Sequence, residues 1–180
     1  MTKNKGYTLV EMVIVIVIMA VLSGGAFLTF HIIKESKRQT ATNTMDNQIG
    51  SCLIQTKAVS EAKNANNPLC MVIRKRSDGA YAIMTGYING TSITDSAGNP
   101  LDPDDNEKCE AVLSKEIANI EYEPSDTSQV FSAGDMVIQF IKSDGSTQYG
   151  AGAYRLYEKK TGDLYSTIYL DAVSGKHYVK

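Results

Sequence analysis

Lys5-Gly6-Tyr7-Thr8-Leu9-Val10-Glu11, running straight into the apolar stretch 12–22, decides how this chain is read. Residues 7–30 are 24 in number and carry one charge, Glu11. Wound as a helix at about 1.5 Å per residue, they extend roughly 36 Å, enough to cross a bilayer. A short basic segment, 1–6, stands before them. Three signals share this layout. An ordinary secretory signal would be cut near Ser23-Gly24-Gly25-Ala26. A plain signal anchor would not be cut. A third kind is cut between Gly6 and Tyr7, so that the apolar segment stays on the mature chain.

Glu11 separates the three. A carboxylate costs about 2.5–3.5 kcal/mol at the centre of a membrane helix, less towards its end. Neither a secretory signal nor an anchor needs it. A cut after Gly6 frees the amine of Tyr7 and makes Glu11 the fifth residue of the new chain. The carboxylate of one copy then has a partner, the terminal amine of a neighbour, inside an apolar helical bundle.

This Gly/Glu spacing ahead of an apolar run resembles the class III signal of type IV pilins and type II secretion pseudopilins. The resemblance covers about 25 residues; Tyr7 stands where phenylalanine is most usual. It implies that a prepilin peptidase cuts between Gly6 and Tyr7 and methylates the Tyr7 amine. It also implies an assembly role for Glu11 and a filament of copies of this chain and related pilins. The partners implied are the peptidase, a pilus assembly platform and the lipid bilayer. Lys3 and Lys5 on one side are matched by Lys34, Lys37 and Arg38 on the other, so charge leaves the orientation open. The resemblance puts the N-terminus in the cytoplasm and the head outside. The subunit would be single-pass in the cytoplasmic membrane before assembly and part of a surface filament afterwards.

Past residue 30 the chain turns polar without a break: 31–67 contain no proline and one glycine, Gly50. Met45, Ile49, Cys52, Leu53, Thr56 and Val59 recur every three or four residues and form one stripe. The pattern predicts a single helix from about Thr8 to about Lys63, ended by 64–68. Ser23-Gly24-Gly25 is its weak point, because each glycine costs about 1 kcal/mol relative to alanine in a helix interior. A lone subunit should still keep the helix through this pair. The resemblance implies that such a segment melts into extended chain on assembly; close helix packing is the competing use of the two glycines.

Beyond the helix, 70–75 and 80–86 flank Ser77-Asp78-Gly79 and read as a hairpin. Residues 89–107 read as a loop, and 109–120 as either helix or strand. Strands are expected at 136–141, 153–159, 164–171 and 177–180, as an antiparallel meander. The fold class is therefore α+β, a long N-terminal helix packed on an antiparallel sheet head. Its segments are 1–6 (leader), 7–30 (apolar half-helix), 31–67 (amphipathic half-helix) and 68–180 (head). The closing turn Ser174-Gly175-Lys176 also resembles pseudopilin and minor-pilin heads, though any meander can carry it.

Chemistry is sparse. The 180 residues hold 18 basic and 20 acidic side chains, a formal charge of −2. Removing Lys3 and Lys5 with the leader gives 16 − 20 = −4. That balance opposes general nucleic-acid binding, and Lys159, Lys160, Lys176, Lys180 and Arg155 are diluted by Glu158, Asp163 and Asp171. His31 and His177 belong to no catalytic or metal motif, and no cofactor motif is present. Asp102, Asp104, Asp105 and Glu107 are the right ligand type for calcium, but a solvated acidic loop is the favoured reading. Cys52, Cys70 and Cys109 are either buried thiols or include one disulfide. If a bond forms, Cys70–Cys109 is expected, because Cys52 lies on the inward stripe. Six of ten tyrosines fall within 149–178, as strand residues do. The leading function is a structural filament subunit. The alternatives are a pseudopilin of a secretion or DNA-uptake machine and a minor pilin with a binding tip.

Overall fold

A computed structural model describes residues 9–59, 67–125 and 134–180, and of 25–29 and 31 the backbone alone. The chain divides into two compact units, Met1–Ser36 and Lys37–Lys180. Helix α1, Leu9–Ala58, belongs to both. It is unbroken through Gly24 and Gly25, and the Ser23 hydroxyl donates back to Met19 O at 2.6 Å. The predicted end at Lys63 is not where α1 stops; 60–63 lie outside the described residues.

The second unit holds ten strands among the described residues. They are β1 Leu69–Lys75, β2 Tyr81–Asn89, β3 Ser92–Thr94, β4 Ala111–Val112 and β5 Ile117–Pro124, then β6 Met136–Phe140, β7 Thr147–Tyr149, β8 Gly152–Glu158, β9 Leu164–Leu170 and β10 His177–Val179. They form two sheets: β3-β2-β1-β6-β7, with β4 also on β2, and β10-β9-β8-β5. Every pairing is antiparallel. The expected simple meander is thus corrected. β6 returns to pair with β1 across more than 60 residues of sequence, and the tail strands build a sheet of their own.

The hairpin β1–β2 forms because its turn chemistry matches its strands. Gly79 takes φ +85°, and the Asp78 carboxylate accepts the Ala80 N–H at 3.0 Å. That bond first, and Lys115 beside it, hold the Asp78 carboxyl below its usual range. Arg76 N–H closes the turn on Ala80 O at 2.8 Å.

The helix stripe is buried. Met45, Ile49 and Thr56 have no exposed surface, Cys52 has little, and Leu53 and Val59 pack at the margin. The stripe begins a turn earlier than predicted, at Ala41 and Thr42. It meets Leu69, Met71 and Ile73 of β1, Ile138 and Phe140 of β6, and Tyr154, Leu156 and Ile168 of the other sheet in one core. Arg38 to Glu158 (2.5 Å) and the buried hydroxyl pair Thr42–Ser166 (2.9 Å) tie α1 to β8 and β9.

A second core explains why β1 and β2 are apolar without alternation. Cys70, Val72, Ala82, Met84, Ile88 and Val137 face away from the first cluster, under Leu101 and Ile93. A sheet covered on both faces loses the in/out period. Residues 89–107 are accordingly not a plain loop: β3 pairs with the end of β2 and Leu101 is a core residue.

The turns before β7 and β10 abut. Gly175 has φ +61°, and a Cβ there would lie 2.0 Å from Gly145 O. Gly175→Ala is expected to lower stability by roughly 2–4 kcal/mol, combining left-handed strain with a backbone clash. Gly162→Ala, at φ +74° in open space, should cost about 1 kcal/mol. Urea unfolding of the detergent-solubilised chain measures both; equal losses would remove the role given to the turn contact.

Candidate functional site

The two units differ in the surface they present. In the first unit, the side chains of 9–24 form an apolar sleeve. Leu9, Val10, Met12, Val13, Ile14, Val15, Ile16, Val17, Ile18, Met19, Val21 and Leu22 are all exposed, between 47 and 80 %. Successive positions are exposed, so the sleeve goes all round rather than along one face. A helix apolar all round is stable only when surrounded by other apolar matter. Burying these twelve half-exposed side chains is worth on the order of 10–20 kcal/mol. Glu11 lies in the first turn of α1, where the helix N-terminus favours a carboxylate, and its side chain is exposed. Its burial cost of about 3 kcal/mol is small beside that total. Gly6 and Tyr7 lie outside the described residues. Among the described residues no helix is long and apolar enough to cross a membrane.

The head has no catalytic cluster among its described residues. The four acidic candidates do not converge. Asp102 accepts the Asp104 N–H (2.9 Å), Asp105 accepts the Glu107 N–H (3.0 Å), and Asp104 accepts the Ser77 N–H (3.1 Å). Asp102 and Asp105 serve their own turns and Asp104 reaches the β1–β2 turn, and no group of three or more His, Cys, Asp or Glu among the described residues is placed to hold a metal. Earlier in the same loop, Asp95 accepts the N–H groups of Asn99 and Ala97, which with the Lys108 ammonium hold its carboxyl down at about 2.

The cysteines are free, and the bond expected between Cys70 and Cys109 is absent. Both border the second core, but the Cys109 thiol turns into its own loop and donates to Asp105 O at 3.1 Å and Pro103 O at 3.5 Å. Burial pushes the Cys52 thiol up to about 12 and the Cys70 thiol higher still.

Sequence reasoning missed two contacts and one buried polar residue. His177 Nε2 sits 3.5 Å from Asp46 Oδ1, with its ring over Gly50, the one glycine of the amphipathic half-helix. Arg74 grips Asp135 through two bonds (2.6 and 2.7 Å) and donates to Leu101 O at 2.6 Å. Gln139 is a buried amide in an apolar strand. Only Gly50 gave a signal, as a poor helix former inside a buried stripe. Of the basic candidates, Arg155 is committed to Glu123.

A thiol reagent at pH 8 should modify Cys109 first, and Cys52 and Cys70 only on unfolding; Cys70–Cys109 recovered by non-reducing peptide mapping would overturn this. The unfolded thiol ionises near 9.0 and folded Cys52 near 12. The native state holds that proton more tightly, so its contribution is complete below about pH 9 and is lost as pH rises towards 12. The urea midpoint should therefore fall above pH 9, and fall less in Cys52→Ala.

No curated protein and no solved structure matches the chain. Residues 1–27 match the model of the prokaryotic N-terminal methylation motif. With a glycine ahead of Tyr7, a glutamate four residues beyond it and an apolar sleeve directly after, the chain carries at its N-terminus the class III prepilin signal of type IV pilins and pseudopilins.

Proposed function

We propose that this chain is the precursor of a structural subunit of a type IV pilus or pilus-like filament. A prepilin peptidase cuts between Gly6 and Tyr7 and methylates the Tyr7 amine. The mature helix first lodges in the cytoplasmic membrane. An assembly platform then draws it into a filament, where the sleeves of neighbouring copies and related pilins replace lipid around one another. The chain works by packing and not as an enzyme. The observation that carries this reading is the methylation-motif match at 1–27 joined to the exposed apolar sleeve of 9–24.

The exchange of lipid for protein has little net hydrophobic drive, because both surroundings are apolar. A specific polar pair therefore decides register. The Glu11 carboxylate of one copy and the Tyr7 amine of its neighbour supply one. In low dielectric such a pair is costly to break singly, which penalises every stagger that leaves either charge alone. The α+β head packs on residues 41–56 of the same helix.

Intact-mass and N-terminal analysis of protein sheared from the cell surface should show a chain starting at Tyr7 with a methylated amine. A start near Ala26 or Phe27 would mean ordinary secretion. Glu11→Ala should leave membrane insertion intact, since removing a charge eases it, and should reduce filament yield about tenfold or more, equivalent to about 1.4 kcal/mol or more per docking step. Wild-type yield from that variant would remove the pairing argument.

A further inference from the structure

Asn89-Gly90 is the one Asn-Gly pair of the chain. It stands at the tip of the hairpin between β2 and β3, whose pairing closes at Asn89 and Ser92. Gly90 takes φ +62° at the first position of the two-residue turn, and Thr91 follows without a positive φ, the II′ pattern. Residues 89–92 are all exposed, and a Cβ built on Gly90 would meet nothing within 4 Å. Neither the Asn89 amide nor the Gly90 N–H has a hydrogen-bond partner among the described residues. Such a pair is chemically labile, because the glycine nitrogen can close a five-membered ring on the asparagine Cγ. The other described asparagines are built differently. Asn43 and Asn47 lie inside α1, where the following N–H serves the helix. Asn99 precedes Pro100, which has no N–H. The N–H after Asn106, on Glu107, is held by the Asp105 carboxylate at 3.0 Å, and the N–H after Asn119, on Ile120, by the Tyr81 hydroxyl at 3.2 Å. The Asp-Gly turns are guarded too: Gly79 N–H donates to Arg76 O (3.1 Å) and Gly145 N–H to Ile141 O (2.8 Å).

We propose that Asn89 deamidates spontaneously in the folded chain and that the product unfastens β3. The Gly90 nitrogen loses its proton to hydroxide and attacks Asn89 Cγ. The N–Cγ bond forms, the Cγ–Nδ2 bond breaks, and Nδ2 leaves as ammonia after taking a proton from water. Water then opens the cyclic imide. Opening at the main-chain carbonyl of residue 89 leaves isoaspartate; opening at Cγ leaves aspartate. The net exchange is one water in and one ammonia out. Ring closure requires Asn89 to rotate out of its strand geometry. β3 permits this, since it spans three residues at the edge of its sheet, where local opening takes little free energy. Isoaspartate routes the main chain through Cβ and adds one atom ahead of Gly90. The pairing of Tyr87 with Thr94, Ile88 with Ile93 and Asn89 with Ser92 depends on the present length. Ile93 and Leu101 cover Gly86 closely, since a Cβ there would lie 2.6 Å from Ile93 Cγ2 and 2.9 Å from Leu101 Cδ1. A longer tip therefore loosens part of the cover of the second core. The site is independent of whether the chain forms filaments.

The test holds the full, folded chain in detergent at mildly alkaline and mildly acidic pH, with a urea-unfolded sample alongside. Peptide mapping reads the exchange of amide for acid, and electron-transfer fragmentation separates isoaspartate from aspartate. Asn89 should be lost from the folded chain, faster at the alkaline pH and with isoaspartate among the products, while Asn99, Asn106 and Asn119 stay intact. Hydrogen exchange should then show the β3 amides losing protection in the product. Survival of Asn89 in the folded chain overturns the proposal, and the unfolded sample shows whether the hairpin is what shields it. Loss of the other three asparagines at the same rate, or unchanged protection of β3 in the product, overturns it as well.

Discussion

Met45 and Ile49 project from α1 into a core built by two separate sheets. β1 and β6 approach it from one sheet, β8 and β9 from the other. Burying a residue of this kind is worth about 1.5–3 kcal/mol. The polar ties flanking the stripe, Arg38–Glu158 and Thr42–Ser166, are worth about 1 kcal/mol or less each in such part-exposed or neutral settings. Packing therefore dominates and the polar contacts set register. Thr56 shows how the stripe admits a hydroxyl. It has no exposed surface, yet it donates to Cys52 O at 2.8 Å within the helix and leaves nothing unpaired.

One helix thus answers to two kinds of surroundings. Along 41–56 the buried positions recur every three or four residues, the mark of a helix lying on a surface. Along 9–24 every position is exposed and all but a few are large and apolar. No single solvent suits both patterns. The first is satisfied within this chain. The second requires lipid or other helices. Glu11 is the one charge in the second pattern.

The helix was legible because an unbroken apolar run and then a stripe of three- and four-residue spacing covered 50 residues without a proline, and long patterns average out local exceptions. The hairpin was legible because Asp-Gly at 78–79 is a turn with a mechanism. What stayed hidden has one cause. Topology depends on which strands pair, and β6 pairing with β1 is a long-range choice that no local pattern records. β3, β4 and β7 span two or three residues each, too short to show a period. Cys70–Cys109 failed as an inference because the two share a core without facing each other. The methylation motif at 1–27 was legible because it is a local signal, carried by Gly6, Glu11 and the apolar run that follows. Gln139 was passed over because a lone polar residue in a strand looks like any outward-facing one.

That difference separates two sorts of polar residue in apolar surroundings. Thr42 and Thr56 are matched inside the fold, so their presence needs only the fold to explain it. Gln139 is not matched at Oε1, although leucine, methionine or isoleucine would complete β6 at no such cost. Natural sequences are locally consistent except where something other than stability is being selected.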